Sequence, residues 1–156
     1  ASYTDRPELG EMVPLLAQQL EAAGFKVTQD VREYNQIESE ALAGKFHAVL
    51  VSRSTVLDSG DAVAYMTADF SSSGSYSMSG LHDEKIDAAI SKAAATQPGD
   101  ERHKAIMAAE QAILASGAAI PLAHERVIQG EAAGVSGAQR DPGERALITS
   151  ATTVKK

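Results

Sequence analysis

The sequence predicts an α/β fold, a mixed sheet flanked by helices, in a single domain over residues 1–156. Three observations predict it. Helical and strand-like patterns alternate through the first fifty residues, which argues for helical crossovers and some parallel pairing. Two amphipathic patterns then follow one another between Asp83 and Ser116, separated only by Gln97-Pro98-Gly99, as in a helical hairpin laid on a sheet. The chain of 156 residues is long enough for one core and too short for two full domains.

The elements follow in order. Leu9, Met12, Val13, Leu16, Leu20 and Ala23 recur at helical spacing. Pro14 falls in that pattern and fits best in a first turn, where a missing N–H costs little; Gly24 is a natural stop. Phe25 to Gln29 alternates as a strand, with Val31 beyond it. Asn35 with Glu38 has capping-box character, so a short helix should run to about Ala43 and end at Gly44. Phe46 to Ser52 is apolar and β-branched around His47 and reads as a buried strand, with His47 hydrogen-bonded in the core.

Ser54 to Gly60 reads as a loop, and a short helix follows over Asp61 to Ala68. Ser71 to Ser75 is a polar stretch with the composition of a flexible surface loop. Asp83 to Ala95 is helical, with Ile86, Ala89, Ile90 and Ala93 on one face; Asp100 caps a second helix to about Ser116, carrying Ile106, Ala109, Ile113 and Leu114. After Ala119 come two strand pieces, around Ile120-Pro121-Leu122 and Val127-Ile128-Gln129. A loop through Gln139 to Gly143 leads to a last short strand at Leu147 to Thr149, and the tail from Val154 should fray.

Several function classes drop out. A net charge of −7 disfavours nucleic acid and anionic membrane as partners, because both need a basic field. With no cysteine there is no disulfide, cysteine nucleophile or thiolate metal site. No apolar run reaches the eighteen residues of a membrane span. The polar lead from Ala1 has no signal-peptide pattern and reads as the start of a mature or excised chain. His47, His82, His103 and His124 are scattered without metal-ligand spacing, and neither a G-x-S-x-G elbow nor a phosphate-binding glycine loop occurs. No cofactor is implied. Asp58 and Asp61 sit three apart at a loop–helix junction, either to stabilise the helix start or, for Asp58, to meet a ligand cation.

Four passages, in order, resemble one family, the extracytoplasmic solute-binding proteins of peptide and nickel ABC transporters. Arg6-Pro7-Glu8-Leu9, the helix to Leu20 and Gly24-Phe25-Lys26-Val27 resemble its R-P-E…G-I-x-V passage. Leu42 to Ala48 is similar to L-x-x-G-x-F-D-A, and Ser77 to Asp87 matches N-Y-S-G-Y-S-N-P-E-V-D at equal length. Ala119 to Gly130 with Gly134-Val135-Ser136-Gly137 is similar to I-P-L-Y-H…G-V-x-G. Together they span about 130 residues and resemble the second lobe of a type II periplasmic-binding-protein-like clamshell. The first lobe and the hinge lie outside the resemblance, so the chain is either an excised lobe or one that acts alone.

The resemblance implies a non-catalytic receptor outside the cytoplasm, in the periplasm or anchored at the cell surface. Its partners would be a short peptide or similar solute, an N-terminal lobe and the ABC permease. It places Asp58 where the family's aspartate meets a peptide α-ammonium, within Thr55-Val56-Leu57-Asp58-Ser59-Gly60-Asp61-Ala62. Thr55 and Ala62 stand where the family pattern has tryptophan and proline. Arg53, Ser54, Thr55, Val56 and Leu57 complete the candidate ligand-binding set, with Arg53 able to favour an acidic ligand group. No histidine lies between Arg53 and Asp61, which argues against a bare nickel site. The alternative is a stand-alone protein-interaction domain that retains the lobe fold; an enzyme is a third option.

Overall fold

The structure is a computed structural model describing residues 1–53, 60–124, 128–139 and 147–155. It is a mixed α/β arrangement with five helices and two small sheets among the described residues. The order is β1 (Ser2–Tyr3), α1 (Pro7–Ala22), β2 (Val31–Arg32), α2 (Tyr34–Leu42), α3 (Ala62–Phe70), α4 (Glu84–Ala95), α5 (Asp100–Ala115), β3 (Val135–Ser136) and β4 (Thr153–Val154).

The first half is a β–α–β unit. β1 pairs with β2 in parallel, Ser2 opposite Val31 and Tyr3 opposite Arg32. The connecting helix α1 starts at Pro7, not near Pro14. Pro7 takes the first helical turn, where no N–H is needed, and Pro14 lies inside the helix. Pro14 leaves the Gly10 carbonyl without its helical donor, but both residues are exposed, so solvent can reach it. α1 and α2 end alike. Gly24 (φ 93°) and Gly44 (φ 68°) take the left-handed conformation, and the next amide reaches back, Phe25 to the Leu20 carbonyl and Lys45 to the Glu40 carbonyl, each at 3.0 Å.

Strand formation is sparser than the sequence predicts. Phe25 to Gln29 forms no strand; Phe25 closes the end of α1, and pairing begins only where Asp30 accepts from the Ser2 amide at 3.0 Å. The Asn35 cap is replaced by Glu33, because Asp5 supplies the carboxylate that accepts from the Tyr34 amide at 3.2 Å. Phe46 to Ser52 is not a strand, and His47 is exposed rather than buried. Its neighbours Phe46 and Leu50 are the residues that turn inward, against Tyr3, Leu9 and Ile37. Residues 119–124 and 128–130 are irregular, and Leu147 to Thr149 forms a bend. The final strands are instead β3 and β4, antiparallel with Val135 opposite Val154, so part of the expected fraying tail is paired.

The helices follow the sequence closely. α3 is capped by Asp61, whose carboxylate accepts from the Val63 amide at 3.0 Å. Asp83 caps α4 by accepting from Lys85 and Ile86 amides at 2.8 and 3.3 Å. In α5 the cap position is Gly99, and Asp100 sits one residue inside, favourably placed at the positive end of the helix dipole. The α4–α5 hairpin packs on α3 rather than on a sheet. Val63 and Met66 of α3, Ile86, Ile90 and Ala93 of α4, and Ala105, Ala109 and Ile113 of α5 form the main core. A second, smaller core joins Tyr3, Leu9 and Ile37.

The polar stretch after α3 is not a free loop. Ser71 is buried and bonds the Thr67 carbonyl at 2.7 Å, and the Ser72 amide donates to Asp87 at 2.8 Å. A Cβ on Gly74 would lie 2.4 Å from the Ala68 carbonyl oxygen, so only glycine lets the turn close on α3.

The chain exposes much surface for its mass. It exposes 11158 Å² of surface, whereas a compact monomer of 16.3 kDa exposes about 7,500 Å². Large apolar side chains account for part of the difference: Ile120, Ile128, Ile148 and Val154 are 77%, 88%, 81% and 72% exposed.

Candidate functional site

The candidate site lies beside β1 and Ala1, which hydrogen-bond to a chain segment on each edge. On one edge the Ser2 and Thr4 amides donate to the Asp30 and Arg32 carbonyls at 3.0 and 3.1 Å. On the other edge the Ala1 nitrogen donates to the Ala48 carbonyl at 2.7 Å and the Leu50 amide donates to the Ala1 carbonyl at 2.8 Å. One residue bonding to two partners flanking a third is the pattern of a parallel pair. The spatial order is therefore 30–32, 1–4, 48–50. α1 leads from the centre to one side, and α2 leads back to the other. In open α/β sheets ligands bind at the carboxyl ends of strands that flank a reversal of strand order. Here those ends are Thr4-Asp5-Arg6 and Ser52-Arg53, and the latter leads straight into residues 54–59.

Of the candidate residues, Ser54, Thr55, Val56, Leu57 and Asp58 lie outside the described residues. Both borders of their segment are held. On the amino side, Ser52 is clasped by Tyr3: its amide donates to the phenol oxygen at 2.8 Å, and the phenol donates to its carbonyl at 3.0 Å. The Arg53 guanidinium then makes a two-pronged bond to Asp69 of α3, Nε to Oδ2 at 2.9 Å and Nη2 to Oδ1 at 2.8 Å. Tyr76 lies against the same cation, 4.4 Å from ring centre to guanidinium carbon, and Tyr65 at 5.6 Å. Planar, bidentate and ring-stacked is the geometry that arginine fills and lysine does not. Burial, then the Asp69 charge, raises the Tyr65 hydroxyl above its usual pKa, and burial raises Tyr76. Both rings stay neutral near pH 7 and present apolar faces.

On the carboxyl side, Asp61 caps α3 and pairs with Arg102 of α5 at 2.7 Å. The helix-start role weighed for Asp61 is thus the observed one. The Val63 amide, and then Arg102, hold its carboxyl below the usual carboxylate range. A depressed folded-state pKa contributes stability above the unfolded value of about 3.9, and that contribution disappears as pH falls through the lower folded value. The wild-type chain should therefore hold an advantage over Asp61→Asn in urea unfolding at neutral pH that shrinks below about pH 4. An advantage of constant size down to about pH 2 would show that ionisation of Asp61 does not matter.

Asp69, Tyr65 and Tyr76 were not among the sequence candidates. One signal was present: Asp69 is the single charge in the helix Ala62–Phe70. An acid there calls for a cation, and Arg53 is the nearest upstream arginine in the sequence.

A recess of about 290 Å³ lies between the end of α3 and α4, lined by Thr67, Ser71, Ser72, Ser73, Asp87 and Ser91 with Ile90 and Ala94. Its polar groups largely serve the fold, since Thr67 and Ser71 bond helix carbonyls and Asp87 holds the Ser72 amide. The four histidines are all exposed, and no group of side chains suited to a metal ion occurs among the described residues. No described helix is long and apolar enough to cross a membrane. No protein-family model and no curated protein sequence matches this chain.

Proposed function

We propose that this chain is the ligand-binding lobe of a two-lobed, non-catalytic solute receptor, of the kind that delivers short peptides or similar polar solutes to an ABC permease outside the cytoplasm. The observation that supports it is the pair of described borders on either side of residues 54–59 in the sequence: Arg53, next to the Ser52 that Tyr3 clasps, is ion-paired to Asp69, and Asp61 is ion-paired to Arg102. A lobe of a type II clamshell is the finer fold assignment that goes with this reading. Asp58 is the ligand carboxylate, pairing with an α-ammonium. Arg53 shapes the base of the site through Asp69 and the two tyrosines. Lobe closure excludes water and strengthens the charge-assisted bonds, and the closed state is the one the permease selects.

The test is Asp58→Ala, assayed by calorimetry with a short peptide in a receptor containing both lobes. Affinity should fall by about 2–5 kcal/mol, as when one partner of a desolvated charge pair is removed. Unchanged affinity would remove Asp58 from the site. The exposed apolar side chains of the carboxyl-terminal third favour a second reading, a stand-alone protein-interaction domain that retains the fold.

A further inference from the structure

The serine-rich turn after α3 is fastened more tightly than a surface loop needs to be. Ser71 bonds the Thr67 carbonyl at 2.7 Å, and the Ser72 amide donates to Asp87 of α4 at 2.8 Å. The Tyr76 amide then donates to the Ala68 carbonyl at 3.0 Å. Gly74 lets that last bond form. A Cβ there would lie 2.4 Å from the Ala68 carbonyl oxygen and 2.8 Å from that of Thr67. Both are backbone atoms of α3, so neither can step aside as a side chain would.

The side chain that this turn delivers is Tyr76. It is half-buried, yet it belongs to neither hydrophobic core. Its ring lies over Arg53, 4.4 Å from ring centre to guanidinium carbon, closer than Tyr65 at 5.6 Å. Burial, and then the Tyr3 hydroxyl, raises the pKa of its phenol, so a neutral ring meets the cation near pH 7. Asp69 holds the same guanidinium by Nε and Nη2. The carboxylate fixes one edge of the planar group, and a ring on its face resists rotation about that edge.

We infer that Tyr76 is a positioning residue: carried onto Arg53 by the Gly74 turn, it keeps the guanidinium in the Asp69 fork and so sets the affinity of the site that Arg53 borders. The effect on a ligand rests on the receptor reading above. Tyr76 acts there through Arg53, not by touching the ligand. The coupling extends to α4, because Asp87 holds the turn that carries Tyr76.

Magnetic resonance of the Arg53 Nε–H reads the positioning directly, the signal being assigned by its loss in Arg53→Lys. In the unmodified chain this proton should exchange slowly with water. Tyr76→Leu should speed its exchange about fivefold or more, the size of one cation–π contact, and Tyr76→Phe should keep it slow. Gly74→Ala removes no side chain from around Arg53, yet it should act as Tyr76→Leu does, because the turn cannot close. Helical circular dichroism should be retained, since Gly74 and Tyr76 lie outside both cores. Unchanged exchange in a folded Tyr76→Leu or Gly74→Ala chain overturns the inference. The consequence for the ligand is measured by calorimetry in a receptor containing both lobes, with a pool of tripeptides carrying free α-amino groups. Tyr76→Leu should weaken binding about fivefold or more, and Tyr76→Phe should not. If Asp58→Ala abolishes binding while Tyr76→Leu leaves it unchanged, the receptor reading stands and the role of Tyr76 fails. If the unmodified receptor binds none of the tripeptides, the receptor reading fails, and the Arg53 exchange rate alone decides whether Tyr76 positions Arg53.

Discussion

Replacing Arg53 by alanine should cost about 2–4 kcal/mol and divide a single unfolding transition into two. The first expectation follows from Asp69. Its side chain is only 11% exposed, and its two oxygens receive the two Arg53 donors. Removing the cation leaves a carboxylate in a nearly dry place, which is more costly than losing the attraction alone. The guanidinium itself is 37% exposed, which keeps the figure below that for a fully buried pair.

The second expectation follows from where Arg53 sits. The described residues form two hydrophobic cores, one around Tyr3, Leu9 and Ile37 and one among α3, α4 and α5. Arg53 follows Ser52, which Tyr3 clasps, and grips Asp69 and Tyr76 on the other side. It is the strap between the two. Without it, amide exchange in α1 and α2 should become faster than in α4 and α5. Arg53→Lys keeps the charge but loses the fork and the ring contact, so it should recover less than half of the loss. Scanning calorimetry that shows one unshifted transition for Arg53→Ala would contradict this role.

Ile90→Ala should cost about 2–5 kcal/mol, and Ile37→Ala a similar amount. Ile90 is 3% exposed at the centre of the three-helix core, and Ile37 is 1% exposed in the smaller one. Each truncation removes three carbons from a packed site and leaves a cavity that the helices close only in part. The diagnostic quantity is their sum. Because the two cores share no residue, the double variant should equal the sum of the singles within about 0.5 kcal/mol. Chemical denaturation of the three variants measures it. A coupling above about 1 kcal/mol would mean that the cores form one packed unit.

The helices were legible because their signals are local. Val63 and Met66, Ile86 and Ile90, and Ala109 and Ile113 recur at the spacing of one face, and Asp61 and Asp83 announce the starts. The strands were not. Phe46 to Ser52 and Ala119 to Leu122 have strand composition, but composition records what a segment can pair with, and pairing needs a neighbour elsewhere in the chain. β1 supplies only two residues of ladder, so its neighbours stay mostly irregular. His47 misled for the same reason, since a polar residue inside an apolar run looks buried until the run fails to become a strand. Of the site, the Asp61 cap was readable from its place immediately before the helix, whereas Arg53–Asp69 spans sixteen residues with no periodic pattern between them. Ser71 to Ser75 shows the limit of loop composition: serine also caps helix ends by bonding their last carbonyls, as Ser71 does with Thr67.

The proposed function requires a ligand ammonium near the carboxyl ends of residues 1–4 and 48–52. An amide-resolved magnetic-resonance titration tests it most directly, comparing a short peptide with a free α-amino group and the same peptide N-acetylated. Weak binding by this chain is expected, with shifts confined to Thr4–Arg6, Arg53 and the residues up to Asp61, seen only with the free amine and lost in Asp58→Ala. Equal shifts from the acetylated peptide, or shifts centred on the α3–α4 recess, would contradict it.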